Sequence, residues 1–299
     1  MSVRAQIRML PDGRRLHMQD GPIDLIVEGF GQVSEIEAAY HAAAGRFATV
    51  LDELCSELTF LHQFATVDGP QPIGSVARRM AGAVRPYAAR HFITPMAAVA
   101  GAVAEEILEA MTTSANLSRA YVNDGGDIAL HLAPSEKFVV GMVERLDEPS
   151  LFGTTMIDFE QPIRGIATSG WGGRSFSLGI ADAVTVLADT ASMADAAATI
   201  IANAVDLPGN AKIGRVRACD LAPDSDLGER LVTQSVGQLS SYEICEAIAA
   251  GERVAESLRL VGLIRAAALN LQGEVRAVGV EAGSRLIGIS APNRSLVHA

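Results

Sequence analysis

The stretch Tyr121–Leu132, YVNDGGDIALHL, sets Asn, Asp, Gly, Gly and Asp between two short apolar runs. A glycine pair between alternating apolar segments predicts a hairpin, because both central residues of a tight turn take positive φ. Two carboxylates beside that turn are more than a bend needs. Outward from this point the apolar runs are SRAYVN, DIALHLA, KFVVGMVER, TTMIDFE, RGIATSG and DAVTVLA. Too few residues separate consecutive runs for crossover helices, so antiparallel neighbours are expected. The opening segments QIRML and RRLHMQ, joined by a Pro-Asp-Gly turn, predict a second hairpin, with IDLIVEG as an added strand. The expected fold class is α+β: a large, mainly antiparallel sheet with helices packed on it.

The helices are read from periodicity and caps. One is predicted from Ser34 to about Gln63, with Ser34 as N-cap, Glu37 as its capping-box partner, and Leu51, Leu54, Leu58 and Leu61 as its core stripe. A breaker at 67–74, VDGPQPIG, precedes a shorter helix ending before Pro86. Thr94 and Pro95 suit the cap and first turn of an alanine-rich helix, PMAAVAGAVAEEILEAM, which Glu105 and Glu106 mark as a buried helix and not a membrane span. Further helices are expected from about Ala191 to Val205 and from Tyr242 to Val261, before a closing hairpin IRAAALNLQGEVRAVGV. No fixed-period repeat occurs. The chain is read as one domain, 1–299, with a motif-bearing core at about 95–206 between an N-terminal hairpin and helix (1–66) and a C-terminal helix and hairpin (207–299).

Composition excludes several classes. The 299 residues are 49% hydrophobic with a formal charge of -11, enough to fill a large core and unsuited to binding nucleic acid, which needs a concentrated basic surface. Cys55, Cys219 and Cys245 lack the number and spacing of a disulfide framework or a cysteine zinc site, and are expected to be small buried hydrophobes in a reducing compartment. The N-terminus has no apolar run of signal-peptide length, so a cytoplasmic protein without membrane attachment is expected. A homo-oligomer would draw on the alanine-rich helix and the N-terminal strands.

Two segments besides the opening one carry candidate chemistry. GIATSGWGGRSFSLG, Gly165–Gly179, places Gly170, Gly172 and Gly173 among hydroxyl residues with Arg174 beside them, and its backbone amides can converge on a phosphate. A mobile surface loop fits the composition equally, although Trp171 would need a partner. In DTASMADAAATIIANAV, Asp195 and Thr199 stand at i and i+4, so two oxygen ligands share one helix face and could bind a hard cation. Spacing alone favours a different role, a capping box from Ser192 to Asp195. The histidines at 17, 41, 62, 91, 131 and 298 show no HxH or HExxH pattern. His91 and His131 could line a pocket, although a partly buried structural histidine is the commoner role for each. No G-x-S-x-G elbow is present.

In this order, VNDGGDIAL, RGIATSG and SMADAAATIIAN resemble the ApbE-like superfamily, whose best-known members are magnesium-dependent flavin transferases that move FMN from FAD onto protein threonines. The resemblance covers roughly residues 95–206 and implies an ApbE-like, flavin-transferase type architecture. By position, Asp195 and Thr199 fall on the family's magnesium ligands, which reverses the preference for a cap. Asn123, Gly125, Gly126 and Asp127 fall beside its flavin nucleotide, and Thr168, Ser169 and Gly170 fall on the other wall, continuing into Trp171, Gly172, Gly173, Arg174 and Ser175. MAAVAGAVAEE resembles the GIAKGYAVD element, with Gly101 at its glycine, Glu105 at its aspartate and Ala100 where the family has lysine. The family's H-x-x-D-P-x-T-G stretch is replaced by GWGGRSFSLG, where only Gly179 of that ending survives and no histidine remains. The implied function is magnesium-assisted binding of FAD, FMN or another phosphate-bearing small molecule, with transferase or hydrolase chemistry on a nucleotide-type ligand open and protein flavin transfer not expected. GGRSFSLG followed by ADAVTVLA is similar to an ApbE-like branch of bacteria and archaea; the alternatives are an enzyme of a one-carbon or pterin-type cofactor pathway, a reading suggested by the occurrence of that branch in methanogens and methylotrophs, and a non-catalytic carrier.

Overall fold

The computed structural model describes residues 4–143 and 151–279; His298 lies outside them. Strands β1 (Gln6–Met9), β2 (Leu16–Asp20) and β3 (Ile23–Phe30) form the expected N-terminal meander. Helix α1 (Val33–Ser56), the short α2 (Leu58–Leu61) and α3 (Ser75–Val84) follow. A 3-10 turn at Pro95–Ala98 leads into α4 (Val99–Ser114). Then come β4 (Arg119–Asp124), β5 (Asp127–Leu132), β6 (Lys137–Val143), β7 (Leu151–Asp158), β8 (Gly165–Ser169) and β9 (Ala183–Ala188). The chain continues through α5 (Ala191–Ala204), β10 (Ile213–Arg217), α6 (Ala218–Leu221), β11 (Leu231–Val236), α7 (Ser241–Leu260), β12 (Ala266–Leu271) and β13 (Glu274–Val278).

Nine strands make one sheet in the order β1-β2-β3-β4-β5-β8-β9-β12-β13, and every pairing is antiparallel. This is the α+β architecture that the spacing of apolar runs predicts. Alternation puts Met18, Leu25, Val27, Ala120 and Val122 on the face covered by α1 and α4, whose Phe47, Val50, Ile107 and Met111 are fully buried against them. Towards the other end, α5 and α7 cover Ala167, Val184, Val186 and Leu269. The opposite face buries Leu130, Ile166 and Leu187 with Ile157 of the β6–β7 hairpin. Helix α4 is interior, with Gly101 to Ala104 all buried, as its alanine content requires.

Several local expectations are corrected. Ser34 does not cap α1: Gln32 is the N-cap, its carbonyl taking the amides of Glu35 and Ile36, so the helix begins two residues earlier. The leucine stripe is also displaced. Leu54 and Leu61 are buried, but Leu58 is exposed, and the face on the core is Ala39, Tyr40, Ala43, Phe47, Val50 and Leu54. One continuous helix to Gln63 is interrupted at Glu57, whose carboxylate turns to accept the amides of Ile73 and Gly74, both at 2.7 Å, at the start of α3. Thr94 occupies the N-cap position but its hydroxyl donates to the Asp226 carboxylate instead of capping. Cys55 and Cys245 are exposed and Cys219 is half-buried, because their helix positions face away from the core.

Candidate functional site

The opening stretch becomes the β4–β5 hairpin, closed by the Asp124–Asp127 pair around Gly125 and Gly126, with φ of +63° and +114°. Only glycine adopts both values without strain. Asn123 is buried and its Oδ1 accepts the Gly126 amide at 2.8 Å, so it braces the turn. The two carboxylates flank the turn: Asp124 is buried, and Asp127 lines a cleft of about 780 Å³, a size suited to a small-molecule ligand.

Three segments distant in sequence line this cleft. The hairpin contributes Gly125 and Asp127; the β8 end and its loop contribute Thr168, Ser169, Gly170, Gly172, Gly173, Arg174 and Ser175; α5 contributes Asp195 and Thr199. Asn123, Gly126 and Trp171 do not line it. Trp171 instead anchors the glycine-rich loop: its amide donates to the Ala181 carbonyl at 3.0 Å, and its Nε1 donates to Asp182 at 3.1 Å. The Gly173 amide closes a turn on Gly170, while the amides of Gly172, Arg174, Ser175 and Phe176 have no acceptor among the described residues. Amide donors left free beside an arginine are groups that an anion could engage. The Arg174 guanidinium lies across Gly125 and stands 3.8 Å from Asp124.

Helix α5 is capped by Thr190, whose side chain accepts the Met193 amide; Ser192 lies inside the first turn, so the Ser192–Asp195 capping box does not form. Asp195 is thereby free to turn sideways, where its Oδ2 accepts the Gly101 amide of α4 at 3.1 Å. Four residues further along α4, Glu105 accepts the Ser192 amide at 2.6 Å. Gly101 is required here, since a β-carbon would lie 2.4 Å from the Ala191 carbonyl oxygen.

The carboxylates are held against their ordinary ionisation. Burial pushes Asp195 up to about 7, with the charges of Asp124 and Glu105 adding to the rise and the Gly101 amide opposing it. Asp127 is raised well above the usual carboxylate range, first by burial and then by the charges of Asp195 and Asp124, while the Thr168 amide at 3.2 Å partly offsets this. Asp124 is pushed up to about 7, again chiefly by burial. Among the described residues no group of three His, Cys, Asp or Glu side chains could hold a metal ion. Asp127, Asp195 and Thr199 are the oxygen donors of the cleft that could hold a hard cation, with water or phosphate oxygens completing its shell.

None of the cleft-lining residues is a histidine. His91 is half-buried, its pKa lowered by burial and Arg90, and a His131 ring nitrogen lies 3.1 Å from the Leu117 carbonyl. Sequence reasoning missed Met96, Val99, Phe176, Leu178, Asn203, Asp226 and Leu227 of the lining. For Asn203 a signal existed: it follows Thr199 by four residues, the same step that separates Thr199 from Asp195.

A family model described as AbpE bacteria matches residues 7–277. A UPF0280 protein of Methanopyrus kandleri is 41% identical over 43% of this chain and 48% of its own length. A UPF0280 protein of Methanosarcina acetivorans is 34% identical over 58% of this chain and 66% of its own. The chain thus spans between about half and two thirds of these relatives. Among solved structures, the flavinyl transferase ApbE of Pseudomonas stutzeri in its apo form aligns over 83% of this chain and 97% of its own, at 11% identity and a TM-score of 0.35. At that level the fold is read from the sheet order above. Among the described residues no helix is long and apolar enough to cross a membrane.

Proposed function

This chain belongs to the ApbE-like family described as AbpE bacteria, and from that membership we propose that its cleft binds a nucleotide-type ligand, a flavin nucleotide foremost, through its phosphate and magnesium. The observation that carries this reading is the convergence of Asp127, Asp195 and Thr199 with the free amides of the Gly170–Ser175 loop and Arg174 on one cleft. Phosphate oxygens would take the Gly172, Arg174 and Ser175 amides and the guanidinium. Asp127, Asp195 and Thr199 would hold magnesium, which supplies charge neutralisation on the phosphate.

The protein's own groups divide the work. Gly125 leaves room for Arg174 to lie across the hairpin turn, and Asn123 keeps that turn rigid. Gly101 and Glu105 fix α5, so Asp195 is presented at one height along the cleft. Protein flavin transfer is outside this reading, because the cleft offers no imidazole to take a proton from an acceptor threonine. The deciding experiment is a titration of FMN, FAD and ATP, each with and without magnesium, followed by flavin absorbance or by calorimetry. Magnesium-dependent binding of at least one is expected. Failure of all three to bind removes the proposal.

A further inference from the structure

The residues of the cleft that neither the phosphate nor the metal uses have a chemistry of their own. Helix α5 sends Asp195, Thr199 and Asn203 into the cleft at i, i+4 and i+8, so Asn203 lies about 12 Å along the helix from Asp195. Its Oδ1 is committed: it accepts the Leu178 amide at 2.9 Å and the Ser177 hydroxyl at 3.3 Å. That fixes the orientation of the side-chain amide and leaves Nδ2, with two donors, without a partner among the described residues.

A second polar group reaches the same cleft from the segment between α6 and β11. Asp226 accepts the Thr94 hydroxyl through Oδ2, and its Oδ1 has no partner among the described residues. The segment that carries it is pinned: the Ala218 amide donates to Arg230, the Cys219 amide to Gly228 and the Thr233 amide to Ser177, at 2.9 Å in each case. Met96, Val99, Phe176, Leu178 and Leu227 supply apolar surface in the same cleft. A fixed donor, a fixed acceptor and apolar walls are the elements that recognise a planar heterocycle by its edge.

We propose that Asn203 and Asp226 determine which ring the cleft accepts, selecting a heterocycle with a ring N–H beside a carbonyl: Asn203 Nδ2 donates to the carbonyl and the Asp226 carboxylate accepts the N–H. This rests on the nucleotide reading above and deepens it. Flavin, uracil, guanine and pterin rings share that lactam edge; adenine lacks it.

Two substitutions test the assignment while keeping the structural bonds. Asn203→Asp retains an oxygen for the Leu178 amide and loses both donors. Asp226→Asn retains an oxygen for the Thr94 hydroxyl and turns the free acceptor into a donor. The two change local charge in opposite directions, so a purely electrostatic effect on an anionic ligand would have opposite signs, whereas loss of edge recognition weakens binding in both.

The dissociation constants of FMN, riboflavin, UMP, GMP and AMP, and of pyrophosphate with magnesium, are measured by calorimetry on the full chain. At least one lactam-ring probe should bind the parent protein more tightly than AMP, and each variant should weaken that probe by about tenfold or more. Pyrophosphate with magnesium should change less than threefold. The lactam ring that loses most identifies the ring class. The assignment is overturned if no lactam probe is preferred to AMP, or if both variants bind the preferred probe as the parent does. Failure of pyrophosphate to bind the parent counts against the phosphate and metal reading alone, since riboflavin carries the ring edge without any phosphate.

Discussion

Replacing Gly101 by alanine tests how α4 positions the acidic end of the cleft. An ideal β-carbon at this position would sit 2.4 Å from the Ala191 carbonyl oxygen, 2.5 Å from its carbonyl carbon and 2.7 Å from the Ser192 nitrogen. All three are backbone atoms at the start of α5, so no side-chain rotation relieves the overlap. The helices must separate by about 1 Å, which costs about 1–3 kcal/mol in a close-packed core. The same movement stretches the 3.1 Å bond from the Gly101 amide to Asp195 and the 2.6 Å bond from the Ser192 amide to Glu105. Weakening charge-assisted bonds costs about 1.5–3 kcal/mol, against a gain of about 0.5–1 kcal/mol for alanine over glycine inside a helix. Net destabilisation of about 2–5 kcal/mol is expected, read as a lowered urea midpoint with an unchanged m-value. Gly82 in α3 has no atom within 4 Å of an added β-carbon, so Gly82→Ala should raise stability by about 0.5–1 kcal/mol. A Gly101→Ala midpoint equal to or above that of the parent would refute the close approach of the two helices.

Other outcomes follow from the same geometry. Asp124, pushed up to about 7, keeps a proton in the folded state that the unfolded chain releases near pH 4, so its contribution makes stability fall as pH rises from about 4 to 7. Asp124→Asn should therefore flatten the pH dependence of the melting temperature and stabilise the protein above pH 7 by about 1–4 kcal/mol; a profile parallel to the parent's would contradict this. Thr190→Ala should cost about 1 kcal/mol by removing the cap of α5, whereas Ser192→Ala should cost less if Thr190 is the residue that caps, and denaturation of the pair separates the two assignments. Asp195→Ala should abolish the magnesium-dependent part of FMN affinity in calorimetry while leaving any magnesium-independent part; undiminished magnesium dependence would remove Asp195 from the ligand set.

The sequence by itself determined whatever depends on neighbours a few residues apart. The paired glycines 125 and 126 could only turn, and the alanine-rich run PMAAVAGAVAEEILEAM read as a buried helix, most of which is the interior α4. The spacing of apolar runs left too few residues for crossover helices and so predicted the antiparallel pairing that the sheet has. The resemblance of three ordered motifs to the ApbE-like family implied that Asp127, Thr168 and Asp195 would meet; in the structure they line one cleft. Tertiary structure decided the rest, because the competing interactions come from residues far away in the chain. Ser192 looked like a cap until Thr190 took that position and Glu105, 87 residues earlier, received its amide. Glu57 breaks a helix whose own periodicity would continue, because its carboxylate satisfies two amides at the start of α3. Asn203 continues the four-residue step of Asp195 and Thr199, a spacing that names no partner for it, and Asp226 reads as an ordinary loop acid. Each acquires its role only when the Leu178 amide or the Thr94 hydroxyl engages one of its polar atoms and leaves another available to the cleft.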